Sequence, residues 1–249
     1  MFQRTCRVSG LVCAALAVCA AQAAGSPFMM GVNFVGRPAY SFGDVAATEV
    51  AGAIPQANWN NACGGCGTLT GLSDAGGDAT GVHITWRADT DYLAVPDESA
   101  DHRLMRGHLT PLGTDPITVT VTGLGAVAIA PYDVLVYFDA YNPSADLATV
   151  FEIGSIALDG TDRAGADFDG TFVQDTGDGG NYVRFDGLSG DAFTLEVSCA
   201  AGGPAAVNAL QIHGAPEPAT LLLMAVGAAG AVGRSTDRRA GRARPASGG

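Results

Sequence analysis

The stretches ITVTVT at residues 117–122 and YDVLVYF at residues 132–138 decide the fold class. In the first, Ile117, Val119 and Val121 alternate with Thr118, Thr120 and Thr122. Successive side chains of a strand point to opposite faces, so this period of two predicts a strand with one buried face. β-Branched residues suit that pleated surface. In the second stretch Tyr132, Val134, Val136 and Phe138 share one face. The same alternation recurs in Phe193, Leu195 and Val197 against Thr194, Glu196 and Ser198, and in Val82, Ile84 and Trp86 against His83, Thr85 and Arg87. Weaker strands are predicted at 32–35, 149–158, 171–174, 182–185 and 207–213, set apart by Gly, Asp, Asn and Pro clusters of the kind turns require. About nine short strands with almost no helical periodicity predict an all-β fold, a single antiparallel β-sandwich of jelly-roll type. A helical turn is expected over 102–109, and the irregular stretch 44–80 predicts a crossing connection between the sheets.

Both ends of the chain read differently from this body. Arg4 and Arg7 precede an apolar run at 8–20 and the small-residue site Ala21-Gln22-Ala23, so residues 1–23 read as a secretory signal peptide. An acylated Cys19 is the competing reading, but such sites want a small residue where Val18 stands. At the other end Pro216, Glu217 and Pro218 lead into the uncharged run 220–233, followed by Arg234, Arg238, Arg239, Arg242 and Arg244. As a helix that run would be about 21 Å long at roughly 1.5 Å per residue, short of the ~30 Å hydrocarbon core. The basic cluster would hold its end on the cytoplasmic side. The expected organisation is therefore a signal peptide at 1–23, an ectodomain at 24–214, and a terminal segment at 215–249 with a membrane helix at 220–233.

The ectodomain has six arginines, no lysine and 23 carboxylates, a net charge of −17. So acidic a surface argues against nucleic acid or anionic lipid as partners, and is compatible with divalent cations or neutral glycans. Three cysteines, Cys6, Cys13 and Cys19, fall in the signal peptide. Cys63, Cys66 and Cys199 remain, an odd number for an oxidising compartment.

Cys63-Gly64-Gly65-Cys66 is the sharpest local motif. A redox pair would want its first cysteine at a helix N-terminus, and zinc would want two further ligands at matching spacing. The sequence offers neither, so a structural disulfide between Cys63 and Cys66 is expected, with Cys199 a buried thiol on the face of Leu195 and Val197; pairing of Cys199 with Cys63 or Cys66 is the alternative. Asp159, Asp162, Asp167 and Asp169 crowd one turn-rich stretch. They could supply oxygens to a structural calcium, although they match no EF-hand loop and solvated acidic turns would look the same. No other cofactor is implied. Trp59 with Asn58 and Asn60 has the chemistry of a sugar contact, an aromatic face to stack on a ring beside amides for its hydroxyls. His102, Arg103 and Arg106 could add donors. No G-x-S-x-G elbow, H-E-x-x-H, P-loop or dinucleotide fingerprint occurs, and no carboxylate pair stands out for glycoside hydrolysis.

The Pro216-Glu217-Pro218 element, apolar helix and basic stop resemble a PEP-CTERM sorting signal. That resemblance implies an exosortase-type sorting protease as partner, cleavage near the Pro-Glu-Pro element, transient residence in the inner membrane, and release to the outer surface or extracellular matrix. The phrases VNFVG, ANWNNACGGCG, TGVHITW, DHRLMRGHL, YDVLVYFD, NYVRFDGLSG and NALQIHG resemble a recurrent ectodomain of exported bacterial proteins, itself similar to galactose-binding-like jelly rolls. The resemblance implies a non-catalytic surface protein that serves as a matrix component or a glycan binder, in the latter case of extracellular polysaccharide. The rival expectations are a purely structural surface protein without a ligand site, and a secreted hydrolase.

Overall fold

The computed structural model describes residues 27–214 apart from 38–42, 93–94, 128–130, 141, 143, 166 and 200–204. The signal peptide at 1–23 and the terminal segment at 215–249, with Pro216, Glu217 and Pro218, lie outside the described residues. Among those described, no helix is long and apolar enough to cross a membrane.

Residues Pro27–Ala215 form one unit. Its strands in chain order are β1 (Met29–Phe34), β2 (Asn60–Ala62), β3 (Cys66–Thr70), β4 (His83–Arg87), β5 (Asp89–Tyr92), β6 (Gly107–Thr110), β7 (Ile117–Thr122), β8 (Tyr132–Tyr137), β9 (Leu147–Ile153), β10 (Ile156–Asp162), β11 (Tyr182–Leu188), β12 (Ala192–Cys199) and β13 (Ala209–Gly214). The fold is all-β, built from a five-stranded sheet ordered β11-β8-β13-β1-β2, a six-stranded sheet ordered β10-β9-β12-β7-β4-β3, and the ribbon β5-β6. Among the described residues, the strands pair antiparallel except β1 with β2. The first and last strands are neighbours, with Val32 opposite Leu210.

The alternating residues of both sheets meet in one core. Met30, Val32, Phe34, Val134, Val136, Leu210 and Ile212 of the five-stranded sheet pack with Ile84, Trp86, Val119, Val121, Leu195 and Val197 of the six-stranded one. Phe34 meets Trp86 edge-on at 6.0 Å between centroids, a preferred arrangement for aromatic pairs. The threonines of β7 face outward, as their alternation predicts, and Thr120 Oγ1 lies 3.1 Å from Thr194 Oγ1 across the ladder to β12.

The five-stranded sheet departs from simple alternation because its other face is buried too. All six residues of β8 are buried. Leu135, Tyr137 and Ala209 join a second cluster with Val45, Ala51, Trp59, Leu104, Met105 and Phe168. The stretch 44–80 crosses from the five-stranded to the six-stranded sheet, as expected from the sequence, giving β2 to the one and β3 to the other, and its residues 45–59 also form a layer covering the second apolar face.

Three further expectations are corrected. Residues 149–158 form a hairpin, because Gly154 takes φ +62° at the turn between β9 and β10. Residues 171–174 make only an isolated bridge, Gln174 to Tyr182. Helix α1 spans Ala100–Leu104, capped by the Ser99 side chain, which accepts from His102 N; the chain then enters β6 instead of continuing helical to 109.

His108 on β6 is 4% exposed and its Nδ1 has no partner. Burial pushes its pKa down to about 4, opposed by Asp91 on the adjoining strand. The native state therefore binds fewer protons than the unfolded chain between about pH 6.5 and 4. Stability from the neutral ring is present above pH 6.5 and lost as pH falls toward 4, a cost on the order of 3 kcal/mol at full protonation. Urea denaturation at pH 7 and pH 4 should show that His108→Gln loses less stability on acidification than the wild type.

Candidate functional site

The sequence nominates three places, and the structure treats each differently. In the Cys63–Cys66 loop both cysteines are exposed free thiols, so the expected disulfide is not formed in this structure. The loop is closed by hydrogen bonds instead. Gly64 N donates to Gly36 O at 2.8 Å, Ala88 N to Gly65 O at 2.7 Å, and Trp86 Nε1 to Gly64 O at 2.8 Å. Cys199 is half-buried at the end of β12, with its thiol 3.3 Å from Ala148 O.

Trp59 is 4% exposed and presents no ring face to solvent. Its Nε1 donates to Ala51 O and Gln56 O, both at 3.2 Å, and its ring meets Tyr137 edge-on at 6.2 Å. Gly31 lies flat against the ring, where any Cβ would overlap it. The asparagine amides are spent on the loop itself. Asn58, at φ 56°, donates to Ala75 O, while Asn60 donates to Gly31 O and Ser73 O and accepts from Ser73 N. Arg103 pairs with Glu49 and, at 2.7 Å, with Asp97, and Arg106 reaches Asp97 at 3.5 Å. His102 packs on Phe168 at 5.5 Å. These residues brace the covering layer and do not form a sugar site.

Of the four aspartates expected to hold calcium, only Asp162 is buried. Asp159 is exposed along β10, and among the described residues no group of three or more His, Cys, Asp or Glu side chains is close enough to hold a metal. Asp162, Asp167 and Asp169 do line one cleft of about 290 Å3, joined there by Asp139, which the sequence reading missed. Asp139 Oδ2 accepts from Phe168 N at 2.9 Å, and Asp162 Oδ2 from Ala140 N at 2.9 Å. Asn142 Nδ2 donates to Asp162 O at 3.0 Å. Burial, reinforced by Asp162, raises the Asp139 pKa to about 8; burial raises that of Asp162 to about 6. The only signal for Asp139 is its place two residues beyond β8, a strand buried along its whole length.

A larger groove of about 590 Å3 opens at one end of the sheets. Tyr132, Ile153 and Phe193 line it with Thr194, Glu152 and Glu196. The two glutamates are directly opposite each other on β9 and β12, an arrangement that like charges disfavour unless something offsets it. The Tyr132 hydroxyl is buried without a partner. Its volume suits a small ligand.

The burial of Trp59 turns an expected binding variant into a stability variant. Trp59→Ala should lower the unfolding free energy by about 3–5 kcal/mol, as large-to-small core changes do. Chemical denaturation of the purified ectodomain would check this; a loss below about 1 kcal/mol would show that the residue is not core.

A comparison with curated proteins finds no match. Among solved structures, a calcium-binding mutant of Bacteroides uniformis beta-glucuronidase 2 aligns with a TM-score of 0.36 and 8% identity, over 75% of this chain and 18% of that one. So distant a likeness carries no argument. Residues 215–239 match the PEP-CTERM protein-sorting motif, and the chain carries that motif at the position where Pro216, Glu217 and Pro218 stand.

Proposed function

We propose that this is an exported, exosortase-sorted protein of the cell surface or extracellular matrix, with a single non-catalytic jelly-roll ectodomain that binds neutral polysaccharide. The PEP-CTERM match at 215–239 is the observation that carries the reading. In it, residues 1–23 direct export, 220–233 hold the chain in the inner membrane, and an exosortase acts near Pro216-Glu217-Pro218. The jelly-roll assignment is supported by the pairing of the first strand with the last and by two mainly antiparallel sheets around one core. The groove beside Tyr132 supports the glycan reading. Glu152, Glu196 and Thr194 offer acceptors to sugar hydroxyls, and the exposed Ile156 offers apolar surface to a ring face. The chain's net negative charge favours a neutral glycan over an anionic one.

Intact mass and cell fractionation of the protein in its host, with and without residues 216–218, test the sorting step. The expected outcome is mature protein outside the cell, lacking both terminal segments, and retention in the inner membrane when the three residues are deleted. A full-length C-terminus in the inner membrane of the unaltered strain would contradict it. For the groove, the double substitution Glu152→Ala, Glu196→Ala should preserve or raise stability by removing facing like charges, and abolish retention on the host's own polysaccharide. Unchanged retention would remove the groove from the account, and release of soluble sugars by the wild type would mark a hydrolase.

A further inference from the structure

We propose that Asp139 and Asp162, which line the acidic cleft, and Asn142, hydrogen-bonded to Asp162 behind them, form a binding site for one hard divalent cation of the calcium class. One oxygen of each carboxylate is tied to a backbone N–H, Asp139 to Phe168 and Asp162 to Ala140. The other oxygen of Asp139 has no partner, and neither has the amide oxygen of Asn142. Those two residues are only 2% and 5% exposed. A buried polar atom left without a partner costs roughly 1–3 kcal/mol, and Asp139 and Asn142, each three residues or fewer from the Ala140 contact to Asp162, carry one apiece.

The three groups are held together by backbone. Asn142 Nδ2 is fixed on Asp162 O, and Ala140 N ties the chain next to Asp139 to the Asp162 carboxylate. Asp139 N in turn donates to Asn208 Oδ1 at 2.6 Å. The nearest cationic lining residue is directed elsewhere, because Arg163 pairs with Asp146 at 2.9 Å and donates to Asp178 O at 2.6 Å. Asp167 and Asp169, exposed around the same cleft, add negative field along the approach. A shared proton would serve one orphaned oxygen and leave the Asn142 amide oxygen as it is. A cation takes both. The donor set is all oxygen, two carboxylates and an amide, and the open cleft admits the waters that complete a six- to eight-fold shell. The set is smaller than the four aspartates the sequence suggests and shares only Asp162 with them.

Calorimetric titration of the exported protein with calcium chloride after chelator treatment, paired with melting curves, is the test. The expected result is one equivalent of Ca2+ bound and a melting temperature that rises with its concentration. Asp139→Asn should abolish both, while Asp159→Asn, outside the cleft, should leave both unchanged. Asn142→Asp replaces the orphaned amide oxygen by a carboxylate and should tighten Ca2+ binding about tenfold, since ligand charge sets affinity in such sites. If Asp139→Asn does not fold, this variant decides alone, and unchanged affinity would overturn the proposal. Absence of binding by the wild type, or weak multi-site binding that survives in Asp139→Asn, would overturn it equally.

Discussion

The structure depends on a hydrogen-bonded clamp between the five-stranded sheet and the layer above it. Tyr137 on β8 donates to Gln211 Oε1 on β13 at 2.7 Å and accepts from Ala53 N at 2.9 Å. Gln211 Nε2 donates onward to Ile54 O at 2.7 Å and Gln56 Oε1 at 2.8 Å. Tyr137 and Gln211 are both fully buried. Buried polar groups stabilise only when their partners are complete, and here each partner is either the covering loop or the neighbouring strand. The loop cannot lift without leaving several buried acceptors and donors unpaired, at roughly 1–3 kcal/mol each. Burial also holds the Tyr137 hydroxyl protonated well past its ordinary pKa, so it remains a donor at any physiological pH.

That clamp explains why a sheet with two apolar faces is stable in this fold. Most antiparallel sheets keep one face in water; here Trp59, Leu104, Met105 and Phe168 replace that water. The same layer positions the acidic cleft. Asn208, buried between the end of β8 and the C-terminal end of α1, accepts from Asp139 N and donates to Met105 O at 2.9 Å. Asp139 is therefore fixed by the second core instead of swinging in a loop. A buried carboxylate is costly, and these backbone and side-chain partners fix where it sits.

How much of this was legible follows from particular residues. The alternation in β7 and β12 was readable because one face of each is exposed, and period two is a direct consequence of that. The strand character of β8 was readable too, but its second buried face was not, because Leu135 and Tyr137 owe their burial to a partner layer remote in sequence. Trp59 looked like a sugar contact since an Asn-rich loop resembles a binding loop; only tertiary contacts reveal that the amides cap backbone and that the ring fills a core. Of the acidic stretch 159–169, Asp162, Asp167 and Asp169 line one cleft, while Asp139, which joins them there, carries no local motif, and neither does Asn142. They are brought to Asp162 by the approach of the ends of β8 and β10, which no spacing in the chain encodes.

The account's central claim is that the covering layer and both sheets unfold as one cooperative unit, with the address carried outside it. Native-state hydrogen exchange on the exported protein tests this most directly. The amides of Leu135, Tyr137 and Gln211 should exchange only through global unfolding, with the same free energy as those of Val119 and Leu195 in the opposite sheet. Exchange of Ala53, Gln56 and the β8 amides at a markedly lower free energy would contradict it. The layer would then open by itself, and the cleft built on it would not be a fixed site.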